Sequence, residues 1–120
     1  MDSNSILDSI KKTLTGLEDD SSFDIDLIMF INTTLSTLSQ LGAGPVKGLF
    51  IEDDSKTWDE LIPDDDILLG FVKTYVQQKT KLRFDPPTSG SHMEALKESI
   101  AELEWRIELH TSSSTSEENK

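Results

Sequence analysis

The side chains that most often carry catalysis or bind metal ions are few in this chain. It has no cysteine, which excludes disulfides, thiol catalysis and cysteine zinc sites. Its two histidines, His92 and His110, lie at opposite ends of the last predicted helix, about 27 Å apart at a rise of 1.5 Å per residue. They cannot share a metal ion within one subunit, and we interpret each as an ordinary surface histidine.

Acidic residues are abundant, and three clusters of them invite a calcium interpretation: residues 18–20, 52–54 and 64–66. None has the alternating ligands, the central glycine and the glutamate at the twelfth position that a calcium-binding loop needs. We therefore interpret the clusters as solvated turns and helix starts. No pair of carboxylates stands out for hydrolysis, which requires a cleft and one acid with a raised pKa.

The neighbouring glycines Gly42, Gly44 and Gly48 do not form a nucleotide site. No Lys-Ser/Thr pair and no dinucleotide-type helix follows them. The sequence therefore predicts no catalytic, cofactor-binding or metal-ligating residue, and we expect neither an enzyme nor a bound cofactor. The classes that remain are structural assembly proteins and small proteins that bind one partner.

Charge narrows the choice of partners further. The 120 residues carry a formal net charge of −12, from 23 acids and 11 bases. This balance disfavours nucleic acid and anionic membranes as main partners, because both attract Lys and Arg. No run approaches the roughly 20 apolar residues that span a bilayer. The first residues also lack a signal-peptide pattern, so we expect a soluble protein that is intracellular where it is made.

The first helix is predicted over residues 5–14. Ser5 begins it, with Asp8 three residues later as in a capping box, and Gly16 ends it. Its apolar face consists of Ile6, Leu7, Ile10 and Leu14.

The second helix is predicted to begin at Ser22 or Asp24, either of which can cap it, and to end before Gly42. Apolar residues recur there at the three- and four-residue spacing of an amphipathic helix. They are Ile28, Ile31, Leu35, Leu38 and Leu41.

Residues 42–66 interrupt the helical period. A turn at residues 42–45 leads to residues 48–51, which we interpret as a short strand that pairs with Thr57 and Trp58 in a small hairpin. The alternative is that Thr57 and Glu60 cap one short helical turn through Leu61.

Two further helices follow. The first has Asp64 to Asp66 at its start, Lys79, Lys81 and Arg83 at its end, and Pro86 and Pro87 as its stop. Its apolar face consists of Ile67, Leu68, Phe71, Val72, Tyr75, Val76 and Leu82. The last helix is predicted from about residue 92 to 109. Its seam consists of Leu96, Ile100, Leu103 and Ile107.

The predicted fold is therefore mainly α: a small bundle of about four helices, with a short β-hairpin-like excursion between the second and third long helices. Residues 1–110 form one domain, in which the excursion covers about residues 43–62. Residues 111–120 have no apolar side chain, and we expect this polar tail to be disordered in the free protein.

Nine stretches in order resemble the head–tail connector proteins (adaptor or head-completion proteins) of long-tailed phages and of prophages in Gram-positive bacteria. They are 6–12 (ILDSIKK), 23–28 (FDIDLI), 31–32 (IN), 38–45 (LSQLGAGP), 50–53 (FIED), 57–58 (TW), 72–76 (VKTYV), 82–87 (LRFDPP) and 100–107 (IAELEWRI). Each stretch alone is weakly specific, whereas their order and spacing across residues 5–109 are specific.

The resemblance implies a structural virion protein made in the bacterial cytoplasm and located at the head–tail junction, or neck. Such subunits form a ring, usually twelvefold, beneath the portal. The ring extends the DNA channel and docks the next connector or the tail, with DNA passing only as cargo. The implied partners are the portal, a downstream connector or tail-completion protein, and further copies of the chain, with no membrane.

Candidate interface residues under this hypothesis are apolar groups in and near the predicted hairpin. They are Leu49, Phe50, Ile51 and Trp58. All four are candidates for contact with a neighbouring subunit. The alternative is that Phe50 and Trp58 merely cover the core, and Trp105 is likewise a core residue or an anchor for a partner. The turn residues are interpreted as architecture. They are Gly42, Gly44, Pro45, Pro86 and Pro87.

A second hypothesis keeps the same fold but gives it a different role. The chain would then be a small helical regulator or anti-host factor that binds one protein partner as a monomer or dimer. Oligomeric size separates the two hypotheses, although a connector subunit that assembles only on the portal is also a monomer when free.

Overall fold

Helices account for all the regular structure in the part of the chain that the computed structural model describes, residues 4–16 and 20–118, with side chains described as far as residue 113. The helices are α1 (Ile6–Thr15), α2 (Asp24–Gln40), α3 (Trp58–Leu61), α4 (Asp66–Phe84) and α5 (Gly90–Glu118). This confirms the prediction of a mainly α fold.

The central element is α4, which packs against α1, α2 and α5. In the described residues, α2 and α5 pack mainly on α4 rather than on each other. Apolar residues from all five helices and from the loop after α2 form one core. They are Ile6, Leu7, Ile10, Leu27, Ile31, Leu35, Leu38, Ala43, Ile51, Trp58, Leu61, Ile62, Leu68, Val72, Tyr75, Val76, Ile100 and Ile107.

The ends of α1 match the sequence prediction. The Asp8 N–H donates to the Ser5 hydroxyl at 3.2 Å, which satisfies one of the free amides at the helix start. Gly16 ends the helix with a φ of 70°, and its N–H donates to the carbonyl of Lys12. Glycine adopts this left-handed conformation without a steric cost, which explains its position here.

The start of α2 differs from the prediction. Its cap residue is Phe23, which makes no side-chain capping bond, so neither Ser22 nor Asp24 caps the helix. Asp24 instead forms an ion pair with the buried Lys11 at 3.0 Å, which joins α1 to α2. Gly42 has a φ of 89° just after the helix, as its predicted left-handed position requires.

The predicted β-hairpin within residues 43–62 is wrong, because the described residues contain no strand beyond an isolated bridge between Ser5 and Thr57. The hydrogen bonds that a partner strand would make to Ile51 come from the side chain of Asn32. The Ile51 N–H donates to Asn32 Oδ1 at 2.8 Å, and Asn32 Nδ2 donates to the Ile51 carbonyl at 2.9 Å. Residues 41–57 therefore form a loop attached to the side of α2.

The alternative prediction for Thr57 is confirmed. Thr57 and Glu60 form a capping box at the start of α3, with the Thr57 N–H donating to Glu60 Oε2 at 2.8 Å. This single helical turn brings Trp58 and Leu61 into the core, where each is 2% exposed.

The third long predicted helix corresponds to α4, which starts one turn after α3. The Leu68 N–H donates to Asp65 Oδ1 at 3.0 Å, so Asp65 caps α4. The helix ends at Phe84, directly before Asp85 and Pro86, as the prolines predict. Ile67 does not join the buried face: its side chain is exposed, since it lies one position before the core residue Leu68.

The last helix is longer than predicted, because α5 ends at Glu118 rather than near residue 109. Thr111 supports the extension by donating from Oγ1 to the carbonyl of Leu41 at 2.9 Å, which anchors α5 to the end of α2. Once a helix exists, adding residues costs far less than nucleation, so weak helix formers can extend it. The disorder of residues 111–120 in the free protein, and the division of the chain at residue 110, stay predictions.

Candidate interaction surfaces

The described residues contain no group of three His, Cys, Asp or Glu side chains arranged to hold a metal ion. Among them, no helix combines the length and apolar character that crossing a bilayer requires. The tyrosine hydroxyl is engaged in structure: Tyr75 is buried and donates to Glu104 at 2.6 Å. Burial raises the pKa of Tyr75, and the Glu104 carboxylate raises it further, so this hydroxyl stays protonated.

Two of the predicted interface residues lie in the core. Ile51 is 1% exposed and held by Asn32, and Trp58 is 2% exposed. The indole N–H of Trp58 donates to the Ser9 hydroxyl at 2.9 Å, and Lys73 Nζ lies 5.9 Å from its ring centre. A buried, hydrogen-bonded indole joins α1, α3 and α4. Ile51 and Trp58 are therefore part of the core of a single copy, and a role for them in contacts with a neighbouring subunit stays a prediction.

Phe50 and Leu49 differ from their buried neighbours. Phe50 is 52% exposed, while Leu49 is half-buried and packs against the core. A Cβ on Gly48 would lie 3.6 Å from the Phe50 ring and 3.9 Å from the Ser39 hydroxyl. The Phe50 ring thus lies next to Gly48, close to Ser39 of α2, and it remains a candidate contact residue.

Trp105 is a surface residue rather than a core residue. It is 59% exposed on α5, and Leu109, one turn later, is also exposed. The guanidinium of Arg106 lies 6.0 Å from the Trp105 ring centre, and Arg106 also pairs with Glu102 at 3.1 Å. Large apolar side chains that protrude among charged ones are typical of anchor residues in protein interfaces.

Further exposed apolar residues were missed by the sequence analysis. Ile25 and Met29 protrude from the outer side of α2, and Val46 is fully exposed in the loop that follows. One signal was available: residues 27–51 contain no Asp or Glu in a chain with 23 acids. Such a long acid-free segment favours a surface that is covered by a partner.

The predicted turn residues shape the loop and the helix connections. Gly44 has a φ of 96°, and a Cβ there would lie 3.1 Å from Leu61 Cδ1, so both conformation and space require glycine. The Pro45 carbonyl accepts a hydrogen bond from the Gly48 N–H at 2.8 Å, which closes a turn. Pro86 and Pro87 lie between α4 and α5, where they separate the two helices.

His110 belongs to a contact that the sequence did not indicate. Its Nε2 lies 2.9 Å from Asp65 Oδ2, so the far part of α5 is joined to the start of α4. The N–H of Leu68 and the His110 side chain both lower the pKa of Asp65, with the larger effect from Leu68. A cleft of about 430 Å³ lies beside this pair and is lined by Gly44, Leu61 and Thr111 among others.

These features define a class: a small all-α protein with exposed apolar side chains on α2, on the loop that follows it, on α4 and on α5. The sequence model of the family described as "Phage connector protein" matches residues 6–114, from the first residue of α1 well into α5. The chain therefore belongs to this phage connector family, as the nine stretches suggested. No curated protein and no solved structure matches it.

Family membership settles the general role. The chain is a structural phage component that connects parts of the virion, and it associates with other proteins of the head or tail.

Proposed function

We propose that this chain is a head–tail connector subunit that assembles as a twelvefold ring beneath the portal. The ring extends the DNA channel and docks a downstream connector or tail-completion protein. The observation that carries the proposal is the family match, which covers residues 6–114 and thus α1 to α4 and most of α5. The chain is made in the bacterial cytoplasm and ends up in the neck of the virion.

The distribution of exposed apolar groups supports a ring. A closed ring uses a heterologous interface, in which one surface of each subunit meets a different surface of the next. Such a subunit must carry two separate contact surfaces. Phe50, beside α2, and Trp105, on α5, provide an exposed aromatic group on each of two separate elements.

The net charge suits a channel for DNA. With a net charge of −12 per subunit, twelve copies would surround the duplex with a strongly negative wall wherever acids face the lumen. Like charges repel, so the phosphates pass without binding to the wall. The simpler role of the charge is solubility before assembly. Replacing lumen-facing acids with amides distinguishes these two roles of the charge. Slower DNA ejection would support repulsion of the DNA, and unchanged ejection would leave solubility as the role of the charge.

The decisive experiment is cryo-electron microscopy of virions of the phage that encodes this chain. We expect density for a symmetric ring of this subunit directly below the portal, with five helices in each subunit. Virions that lack the chain because of an early stop codon serve as the matched control, and their necks should lack this ring. A well-resolved neck without this subunit in the wild-type particle would refute the proposal.

A further inference from the structure

The outer side of α2 and the loop beside it form an acid-poor surface. Five residues at three- and four-residue spacing protrude from α2, and Phe50 of the loop lies beside them. This α2–loop surface consists of Ile25, Met29, Thr33, Ser36, Gln40 and Phe50, all exposed. From residue 27 to 51 the only charged side chain is Lys47, and the exposed Asp26 lies at the edge of the surface next to Ile25. In a chain with 23 acids, such a surface is the least costly one to bury.

The loop is held in place before any partner binds. Asn32 bonds both backbone groups of Ile51, and the Gly48 N–H donates to the Pro45 carbonyl. These bonds fix Phe50 beside α2 because its neighbours on both sides are tied down. A preformed surface loses less entropy on binding than a mobile loop does.

A second surface lies on α5. Ala101, Trp105 and Leu109 are spaced four residues apart and are all exposed, so they form one row along the helix. We call this row the α5 ridge. Its surroundings are acidic: residues 94–108 contain five glutamates, one lysine and one arginine.

The two surfaces belong to different helices, and the side chains of both are exposed in a single copy. Both α2 and α5 pack on α4, and neither packs extensively on the other in the described residues. The α2–loop surface and the α5 ridge therefore cannot cover each other within one copy. Both surfaces are therefore accessible in each copy, which can bind one neighbour through α2 and another through α5.

Charge favours a second copy of this chain as the occupant. Two copies with a net charge of −12 each repel, so they associate most readily where acids are absent from at least one side. The α2–loop surface has one acid at its edge, Asp26, and the exposed Lys47 lies in the same loop as Phe50, whereas the α5 ridge lies among glutamates. Contact between the α2–loop surface and the α5 ridge is therefore electrostatically favourable. Contact between two α5 ridges would bring glutamates together.

We infer that the α2–loop surface of one copy binds the α5 ridge of the next, with Trp105 and Leu109 packed against Met29 and Phe50. This inference rests on the proposed ring and names the contact through which it closes. The pairing is heterologous, so it can be repeated from subunit to subunit.

The absence of cysteine allows a clean test. We would place Ser36→Cys and Ala101→Cys in one chain, assemble phage particles with it, and treat them with a short bis-maleimide. Both positions are exposed, and both substitutions nearly preserve side-chain size. We expect a ladder of covalent multimers on a denaturing gel. The matched control carries Thr13→Cys and Thr88→Cys, which are exposed on α1 and between α4 and α5, and should remain monomeric.

Each other outcome has a defined meaning. Particles that contain the double variant but give only monomers overturn the inference and leave the connector role intact. Dimers from Ser36→Cys alone overturn it too, since they show that two α2 surfaces meet. Absence of the unmodified chain from purified wild-type particles overturns the connector role itself.

A second variant does not depend on cross-linking. Thr33→Glu and Ser36→Glu together place two acids on the α2–loop surface, at exposed helical positions that tolerate glutamate. In competition with the wild-type chain, we expect about tenfold lower incorporation into particles, because the new acids would face the glutamates that surround the α5 ridge. Thr88→Glu, exposed between α4 and α5, is the control and should incorporate normally. Equal incorporation of both variants contradicts the inference.

Discussion

Asn32 is the residue that holds the loop after α2 in place. Its side-chain amide bonds the N–H and the carbonyl of Ile51 at 2.8 and 2.9 Å, and Ile51 is buried. Backbone groups buried without partners are costly, so this amide stabilises the part of the loop around Ile51.

Replacing Asn32 with alanine should therefore lower the free energy of unfolding by about 2 kcal/mol or more, because two buried backbone groups of Ile51 lose their partners. Urea denaturation measures the change. Thr33→Ala, at the exposed neighbouring position, is the control and should change stability by no more than about 0.5 kcal/mol. Equal effects of the two substitutions would show that the loop is held by other contacts.

Because of Asp65, the free energy of unfolding should depend on pH in the acidic range. Its pKa is lowered in the fold by the Leu68 N–H and by His110. The ionised carboxylate therefore stabilises the fold above the pKa of the unfolded chain, and this contribution is lost as the pH falls through the lowered pKa. Asp65→Asn keeps a good cap without the charge. The stability difference between wild type and Asp65→Asn should be present at pH 7 and shrink below about pH 4.

Urea denaturation at a series of pH values checks this, with Asp66→Asn as the control at the next, exposed position. A difference between wild type and Asp65→Asn that stays constant down to pH 2 would contradict the expected role of the charge.

At the scale of elements, two residues near the end of α5 make contacts that stabilise the fold. His110 and Thr111 bond Asp65 and Leu41. Truncation after Thr111 should therefore change the free energy of unfolding by no more than about 0.5 kcal/mol. Truncation after Leu109 removes both contacts and should cost at least about 1 kcal/mol more. Urea denaturation of both proteins tests this, and equal stability would show that the two contacts add nothing.

The long helices could be predicted because their signals are local. In α1, α2 and α4, apolar residues recur with the helical period, and Gly16, Gly42 and Pro86 end the pattern as expected. Local signals could not exclude the predicted β-hairpin. Its residues 48–51 have the composition of a strand, and the group that replaces the missing strand, Asn32, lies 19 residues before Ile51.

The candidate interface was only partly predictable, because residue type does not separate a core aromatic from a surface one. Trp58 and Trp105 are both tryptophans near apolar neighbours in the sequence. Trp58 is buried because the capping box of Thr57 turns α3 inward, whereas Trp105 lies off the row of Ile100, Leu103 and Ile107 that faces α4. The acid-free segment 27–51 was the better signal, since it depends on charge rather than on a single residue.

At the scale of the whole molecule, the net charge of −12 should control how copies approach one another. Raising the ionic strength from about 0.01 to 0.15 M shortens the Debye length from about 30 to 8 Å and screens the repulsion between copies. The second virial coefficient from static light scattering should therefore fall steeply over this range. A coefficient that rises with salt would show that attraction between opposite charges dominates instead.

The contrast between Trp58, 2% exposed, and Trp105, 59% exposed, gives this chain two built-in fluorescent reporters. Trp58 should emit at short wavelength until the fold is lost, so its emission reports unfolding. Trp105 should emit at long wavelength and be quenched by acrylamide in the free subunit. A Trp58→Phe variant isolates the Trp105 emission, and Trp105→Phe isolates that of Trp58. If copies associate through α5, the Trp105 emission should shift to the blue and be quenched less by acrylamide. The unchanged Trp58 emission would then show that the subunit stays folded during assembly.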